Sequence, residues 1–173
     1  TNAAFAEDAE YGVVWGLNFE NEATYLEGWT YQATPAYVTS SSSGSCMLDF
    51  SHQTANGTRS ASYVFADENF SSAKDYIFEF DWGVSAAHWN KDGYTTMTVQ
   101  ANNPEGMLFK TSTRSNVAST SIIAADGATE LCTLTTDGYT GKTPVNIFHF
   151  TIKANTIDGV TLSITQGETE ILK

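Results

Sequence analysis

Positive charge is scarce in this chain: 8 Lys and Arg stand against 20 Asp and Glu in 173 residues, a net charge of -12. So acidic a surface repels a phosphate backbone or an anionic bilayer, which argues against nucleic acid and membrane surfaces as partners. No run approaches the roughly 18 consecutive apolar residues of a transmembrane helix, so no membrane insertion is expected. The two cysteines, Cys46 and Cys132, cannot build a zinc site at C-x-x-C spacing. They leave two readings open: one disulfide in an oxidising compartment, or two buried thiols acting as small hydrophobes. His52, His88 and His149 lie far apart without metal-ligand spacing, and the chain has neither a G-x-S-x-G elbow nor a phosphate-cradling glycine loop. Internal repeats and ten-residue stretches of helical periodicity are also missing.

What remains is a chain rich in Ser, Thr, Asn and Gly, with 13% aromatic residues and only 16% charged ones. This mixture is common in secreted all-β domains whose hydroxyl-bearing strands face water. The opening residues TNAAFAEDAE carry Ala4-Phe5-Ala6 ahead of an acidic stretch, similar to the small-x-small end of a signal peptide, so a secreted or cell-surface location is expected. The length fits one domain with a core of its own. We expect a flexible N-terminal segment at 1–11 and a single domain over 12–173.

Period-two alternation marks the strands. Val13, Trp15, Leu17 and Phe19 share one parity, Cys46, Leu48 and Phe50 another set, and Ala61, Tyr63 and Phe65 a third. Phe148, Phe150 and Ile152 alternate with Ile147, His149, Thr151 and Lys153, and Val160, Leu162 and Ile164 alternate with Thr161, Ser163 and Thr165. Asn102-Asn103-Pro104-Glu105-Gly106 signals a turn, while residues 111–121 are polar and hard to read. Roughly ten short, evenly spaced strands argue for a sandwich or a barrel. The expected fold is all-β, a two-sheet antiparallel β-sandwich of jelly-roll type.

The stretch from Asp75 to Gln100 holds the richest candidate surface. Tyr76, Phe78, Phe80 and Trp82 form an apolar face, and Glu79 and Asp81 an acidic one. After a loop containing His88, Trp89, Asn90 and Asp92, and then Tyr94, a second strand sets Met97, Val99 and Ala101 against Thr96, Thr98 and Gln100. If the two strands pair, carboxylates, hydroxyls and an amide share one solvated face beside Trp89. An aromatic ring in such a place can stack on a sugar while its neighbours satisfy the hydroxyls. The alternative is a tryptophan folded back to cap the sandwich. Trp29, Tyr31 and Tyr37 cluster around Pro35 and either extend a binding platform or are a core or edge tryptophan with two ordinary surface tyrosines. Glu79 and Asp81 lie roughly 7 Å apart along their strand, a separation compatible with paired-carboxylate glycosidase chemistry. Glu20 and Asp158 would supply hard oxygen ligands for Ca²⁺ if the first and last strands are neighbours. Otherwise Asp158-Gly159 is a tight turn.

LNFENEATYLEGW at 17–29 and IDGVTL at 157–162 resemble the opening and closing strands of non-catalytic carbohydrate-binding modules of bacterial polysaccharide-degrading systems. FHFTIKANTIDGVTLSITQGE at 148–168 is similar to a hairpin of concanavalin-like lectin sandwiches. Glu79-x-Asp81 resembles the acidic strand motif of laminarinase-like glycosidases, but Trp82-Gly83-Val84 stands where a further glutamate belongs, so no catalysis is expected. The first resemblance implies polysaccharide or oligosaccharide binding without chemistry, a structural calcium near Glu20 and Asp158, and a larger multidomain parent. Aromatics carried in loops form a curved platform, which favours a glucan of the starch type. A cell-surface adhesion or assembly domain binding protein is the competing reading, and an exposed apolar patch would distinguish it.

Overall fold

The computed structural model describes residues 26–31, 36–39, 46–49, 61–64, 75–83, 94–102, 104–114, 119–136, 139–140, 143–144, 146–155 and 157–173. The chain divides into two compact units, residues 1–71 and 72–173. The strands expected at 12–20 and the segment at 1–11 lie outside the described residues.

In the first unit, β1 (Trp29–Tyr31) pairs antiparallel with β4 (Ala61–Tyr63), and β2 (Ala36–Thr39) pairs antiparallel with β3 (Cys46–Asp49). A turn at 26–28 leads into β1, closed by a bond from the Trp29 amide to the Leu26 carbonyl at 3.1 Å. Gly28 has φ 81, and a β-carbon built on it would lie 2.7 Å from Tyr63 Cε2. Backbone conformation and a neighbouring ring therefore both demand glycine there.

Two antiparallel sheets form the second unit, in a sandwich-like all-β arrangement. One sheet has the order β10 (Glu130–Thr135), β9 (Ser119–Ala124), β8 (Glu105–Arg114), β6 (Tyr94–Thr95), and β7 (Thr98–Asn102) also pairs with β8. The other has the order β15 (Thr169–Leu172), β14 (Gly159–Gln166), β13 (Phe148–Asn155), β5 (Tyr76–Trp82). The short strands β11 (Tyr139–Thr140) and β12 (Thr143–Pro144) pair with each other.

Alternation explains the inner faces. Phe148, Phe150 and Ile152 of β13, Ile164 of β14, Phe109 of β8, Ile122 of β9 and Leu134 of β10 form the buried core. Phe150 is its hub. Its ring stacks on Phe80 at 5.0 Å within its own sheet and on Phe109 at 5.7 Å across the sandwich, and it meets Trp82 edge-on at 5.9 Å. Each fully buried side chain of this size contributes about 1.5–3 kcal/mol from water exclusion. Tyr76, Phe78, Phe80 and Trp82 pack against the core, as their parity predicts.

One expectation is corrected. The strands at 76–82 and 98–102 do not pair: β5 joins β13 and β7 joins β8, in different sheets. The face that their pairing would have assembled is therefore not formed. Of the polar stretch that is hard to read in the sequence, residues 111–114 and 119–121 lie on β8 and β9, in the interior of their sheet. Thr111, Thr113 and Thr120 are buried, with Thr113 Oγ1 and Thr120 Oγ1 2.6 Å apart and Thr111 Oγ1 accepting from the Met97 amide at 2.9 Å. A buried hydroxyl is tolerated when it is hydrogen-bonded, and here each of the three is.

Hairpin turns connect the sheets' neighbouring strands. Asp126 Oδ1 accepts from the amides of Ala128 at 2.9 Å and Thr129 at 2.8 Å, and Gly127 takes φ 75 to complete that turn. Asn155 Oδ1 accepts from the Ile157 and Asp158 amides at 2.9 and 2.6 Å, with Gly159 at φ 76. The turn reading of Asp158-Gly159 thus holds. Cys132 is a free thiol, pushed above its usual pKa by partial burial and by the nearby Glu130 carboxylate.

Candidate functional site

The outer face of the β15-β14-β13-β5 sheet is a polar lattice set by strand register. Asp81 pairs with His149 and His149 with Thr165; Glu79 pairs with Thr151 and Thr151 with Ser163; Ile77 pairs with Lys153 and Lys153 with Thr161. Directly opposed residues point to the same side of a sheet. The inward Phe148, Phe150 and Ile152 therefore force His149, Thr151 and Lys153 outward.

His149 sits between the two carboxylates. Its Nδ1 is 2.8 Å from Asp81 Oδ1 and its Nε2 is 3.2 Å from Glu79 Oε1, which also accepts from Thr151 Oγ1 at 3.3 Å. A carboxylate only accepts, and a neutral imidazole has only one N–H, so both contacts are hydrogen bonds when the ring is an imidazolium. Partial burial of the ring lowers its pKa, but the bonds to Asp81 and then Glu79, with the charges of both, outweigh that and hold it above the ordinary histidine value. Side-chain exposure is 43% for His149, 71% for Asp81 and 27% for Glu79, so the group lies at the surface, open to a ligand.

A second surface lies on the first unit. Trp29 and Tyr31, two residues apart on β1, share one face of the ribbon with Tyr63, the partner of Trp29. The Trp29 and Tyr63 rings meet edge to face at 5.4 Å, and Tyr31 is 40% exposed. Cross-strand aromatic contact fixes ring orientation; Trp29 and Tyr63 are half-buried, and Tyr31 is the exposed member of the group. An exposed aromatic cluster and a flat polar sheet face are both consistent with a ligand-binding module.

Of the residues singled out in the sequence, Trp29 and Tyr31 are brought together, and so are Glu79 and Asp81. Tyr37 lies on β2 and Tyr94 on β6. Trp89, His88, Asn90, Asp92 and Glu20 lie outside the described residues. Asp158 is exposed in the β13–β14 turn, where its Oδ2 accepts from Asn155 Nδ2 at 3.3 Å. Among the described residues no group of three or more His, Cys, Asp or Glu is disposed to hold a metal ion. Sequence reasoning missed His149 and Tyr63 as site residues. Parity placed His149 on a polar face, but its carboxylate partners lie 68 and 70 residues away, beyond the reach of any local pattern.

The second unit carries a half-open cleft of about 530 Å³, lined mainly by apolar side chains that include Leu108, Leu131, Val160, Leu162 and Leu172, with Lys173 also at its wall. Among the described residues no helix is long and apolar enough to cross a membrane. No family model matches the chain, and neither a curated protein nor a solved structure matches it.

Proposed function

We propose that the protein is a non-catalytic binding module, of jelly-roll type, that holds a plant polysaccharide by aromatic stacking and hydrogen bonding, with a starch-type glucan favoured. The observation that carries this reading is the aromatic face of Trp29, Tyr31 and Tyr63. A pyranose presents one apolar face, and a ring of matching size removes that face from water. The polar lattice of the second unit is a separate candidate surface of the same reading, with Glu79, Asp81, Ser163, Thr161 and Thr165 as partners for hydroxyl groups. Trp89, with His88, Asn90, Asp92 and Tyr94, belongs to the same proposal as a further contact region, and Tyr37 as a separate candidate on the first unit.

A module of this kind serves a secreted or cell-surface protein of several domains. Glycosidase chemistry is disfavoured because Glu79 and Asp81 are both engaged by one histidine, whereas paired-carboxylate catalysis needs an acid and a base facing the same bond. A structural calcium is part of the proposal, with the exposed carboxylate of Asp158 as one hard oxygen ligand. Raising Tm with Ca²⁺ and lowering it with a chelator is the expected sign, and identical melting under both conditions rejects the ion.

Affinity electrophoresis through gels containing glucans, xylan or mannan tests the main reading. Retardation by a starch-type glucan is expected, reduced by Tyr31→Ala and by Trp89→Ala. Free migration through every polysaccharide rejects it.

One observation favours a second reading. The half-open apolar cleft of the second unit, together with 90% exposure of Ile157 and 41% exposure of Leu131, suits an adhesion or assembly domain that takes an apolar side chain from a partner protein. Leu131→Asp would abolish such docking and leave polysaccharide binding intact.

A further inference from the structure

We propose that His149 is a proton-operated staple that fastens edge strand β5 to β13, closed while the imidazole carries both protons and opened when it loses one. The inference goes beyond ligand binding and concerns the fold itself.

Strand order sets the mechanical context. β5 ends its sheet among the described residues, with β13 as its one neighbour there, so its attachment rests on a single ladder and on the side chains that cross it. Both outward carboxylates of β5, Glu79 and Asp81, converge on the same ring, and each nitrogen of that ring serves one of them. Two bonds from one side chain to two positions of the facing strand span two residues of register.

Loss of a proton has an asymmetric consequence. The shorter contact, 2.8 Å from Nδ1 to Asp81, retains the remaining proton in preference to the 3.2 Å contact from Nε2 to Glu79. The Nε2 lone pair then faces a carboxylate oxygen. That contact changes from attractive to repulsive, and Glu79 keeps only the hydroxyl of Thr151. Because Glu79 is the less exposed of the two carboxylates, separation requires movement of the strand or of the ring.

Among the described residues whose pairing on this face is known, none lies in register to replace the lost bond. The facing residues of β14 are the hydroxyls Thr161, Ser163 and Thr165, and Lys153 on β13 lies opposite Ile77. On β15, Glu170 pairs with Thr165 and meets Lys173 at 3.9 Å. A histidine held above its ordinary pKa favours the closed state below that ordinary value, and the advantage is lost as pH rises through the raised one.

Two measurements on the full chain test the staple. The first is an NMR titration of the imidazole nitrogens, with the His149 signals assigned by their disappearance in His149→Gln. The second follows amide protection factors of β5 and β14 across the same pH range. His149 should titrate above ordinary histidine, with both nitrogens protonated at the acid end. Protection of β5 amides should fall roughly fivefold more than that of β14 as the ring deprotonates. Glu79→Gln places an amide donor opposite Nε2, so it should lower the His149 pKa and flatten the β5 response while the strand stays protected. A His149 pKa at or below the ordinary value, or β5 protection that tracks β14 throughout, overturns the proposal.

Discussion

Phe150→Ala tests the packing that unites the two sheets of the second unit. Phe150 is fully buried and stacks on Phe80 at 5.0 Å and Phe109 at 5.7 Å, with Trp82 edge-on at 5.9 Å. Truncating a buried phenylalanine costs about 3–5 kcal/mol from lost transfer energy and the cavity left behind. Aromatic pairs add about 0.5–1.5 kcal/mol each beyond area, so three of them place this site at the upper end, about 4–5 kcal/mol. Domains have about 5–15 kcal/mol in total, so the variant should be marginal at room temperature. Phe80→Ala is the control: it is only partly buried and should cost less. Urea unfolding followed by circular dichroism measures both. A loss under about 2 kcal/mol for Phe150→Ala, or equal losses for the two variants, would refute the packing hub, since the cost depends on burial and on neighbours from both sheets.

Three further expectations follow from particular contacts. Thr113→Val or Thr120→Val alone leaves one buried hydroxyl without its partner and should cost about 1–3 kcal/mol, whereas the double substitution should cost less than the sum of the singles, as a double-mutant cycle in urea will measure. Gly28→Ala meets both a positive φ and the Tyr63 ring, so the Trp29–Tyr63 ring-current shifts in NMR should change; an unaltered spectrum counts against the close approach. Bonds from the Thr129 hydroxyl, then the Thr129 and Ala128 amides, lower the Asp126 pKa to about 2. Its contribution to the turn is therefore present above the ordinary carboxylate pKa and is lost as pH falls through about 2, and a carboxyl titration of Asp126 near the ordinary value would contradict that.

Legibility in the sequence followed the physics of each segment. Strands with one apolar parity, such as 76–82, 148–152 and 160–164, were readable because burial acts on every second residue. The end of β8 and β9 were not, although Met107-Leu108-Phe109 marks where β8 begins, since the inward positions Thr111, Thr113 and Thr120 satisfy one another or the backbone and need no apolar side chain. Glu79 and Asp81 were identifiable as a surface pair, yet their role depended on β13, which arrives from the far end of the chain. A pairing between neighbouring strands was the natural expectation, and register with β13 replaced it. Trp29 and Tyr31 were visible as an aromatic group, and Tyr63 joined them only through the β1–β4 ladder.

Calorimetric titration of a starch-type oligosaccharide into the wild-type chain and Tyr31→Ala tests the central claim most directly. Tyr31 is 40% exposed, so its removal disturbs the aromatic face with little effect on folding. Saturable binding by the wild type, weakened about tenfold in the variant, is the outcome the account predicts, a stacked ring being worth about 1–1.5 kcal/mol. Equal affinity in the two proteins, or no heat of binding in either, would contradict it.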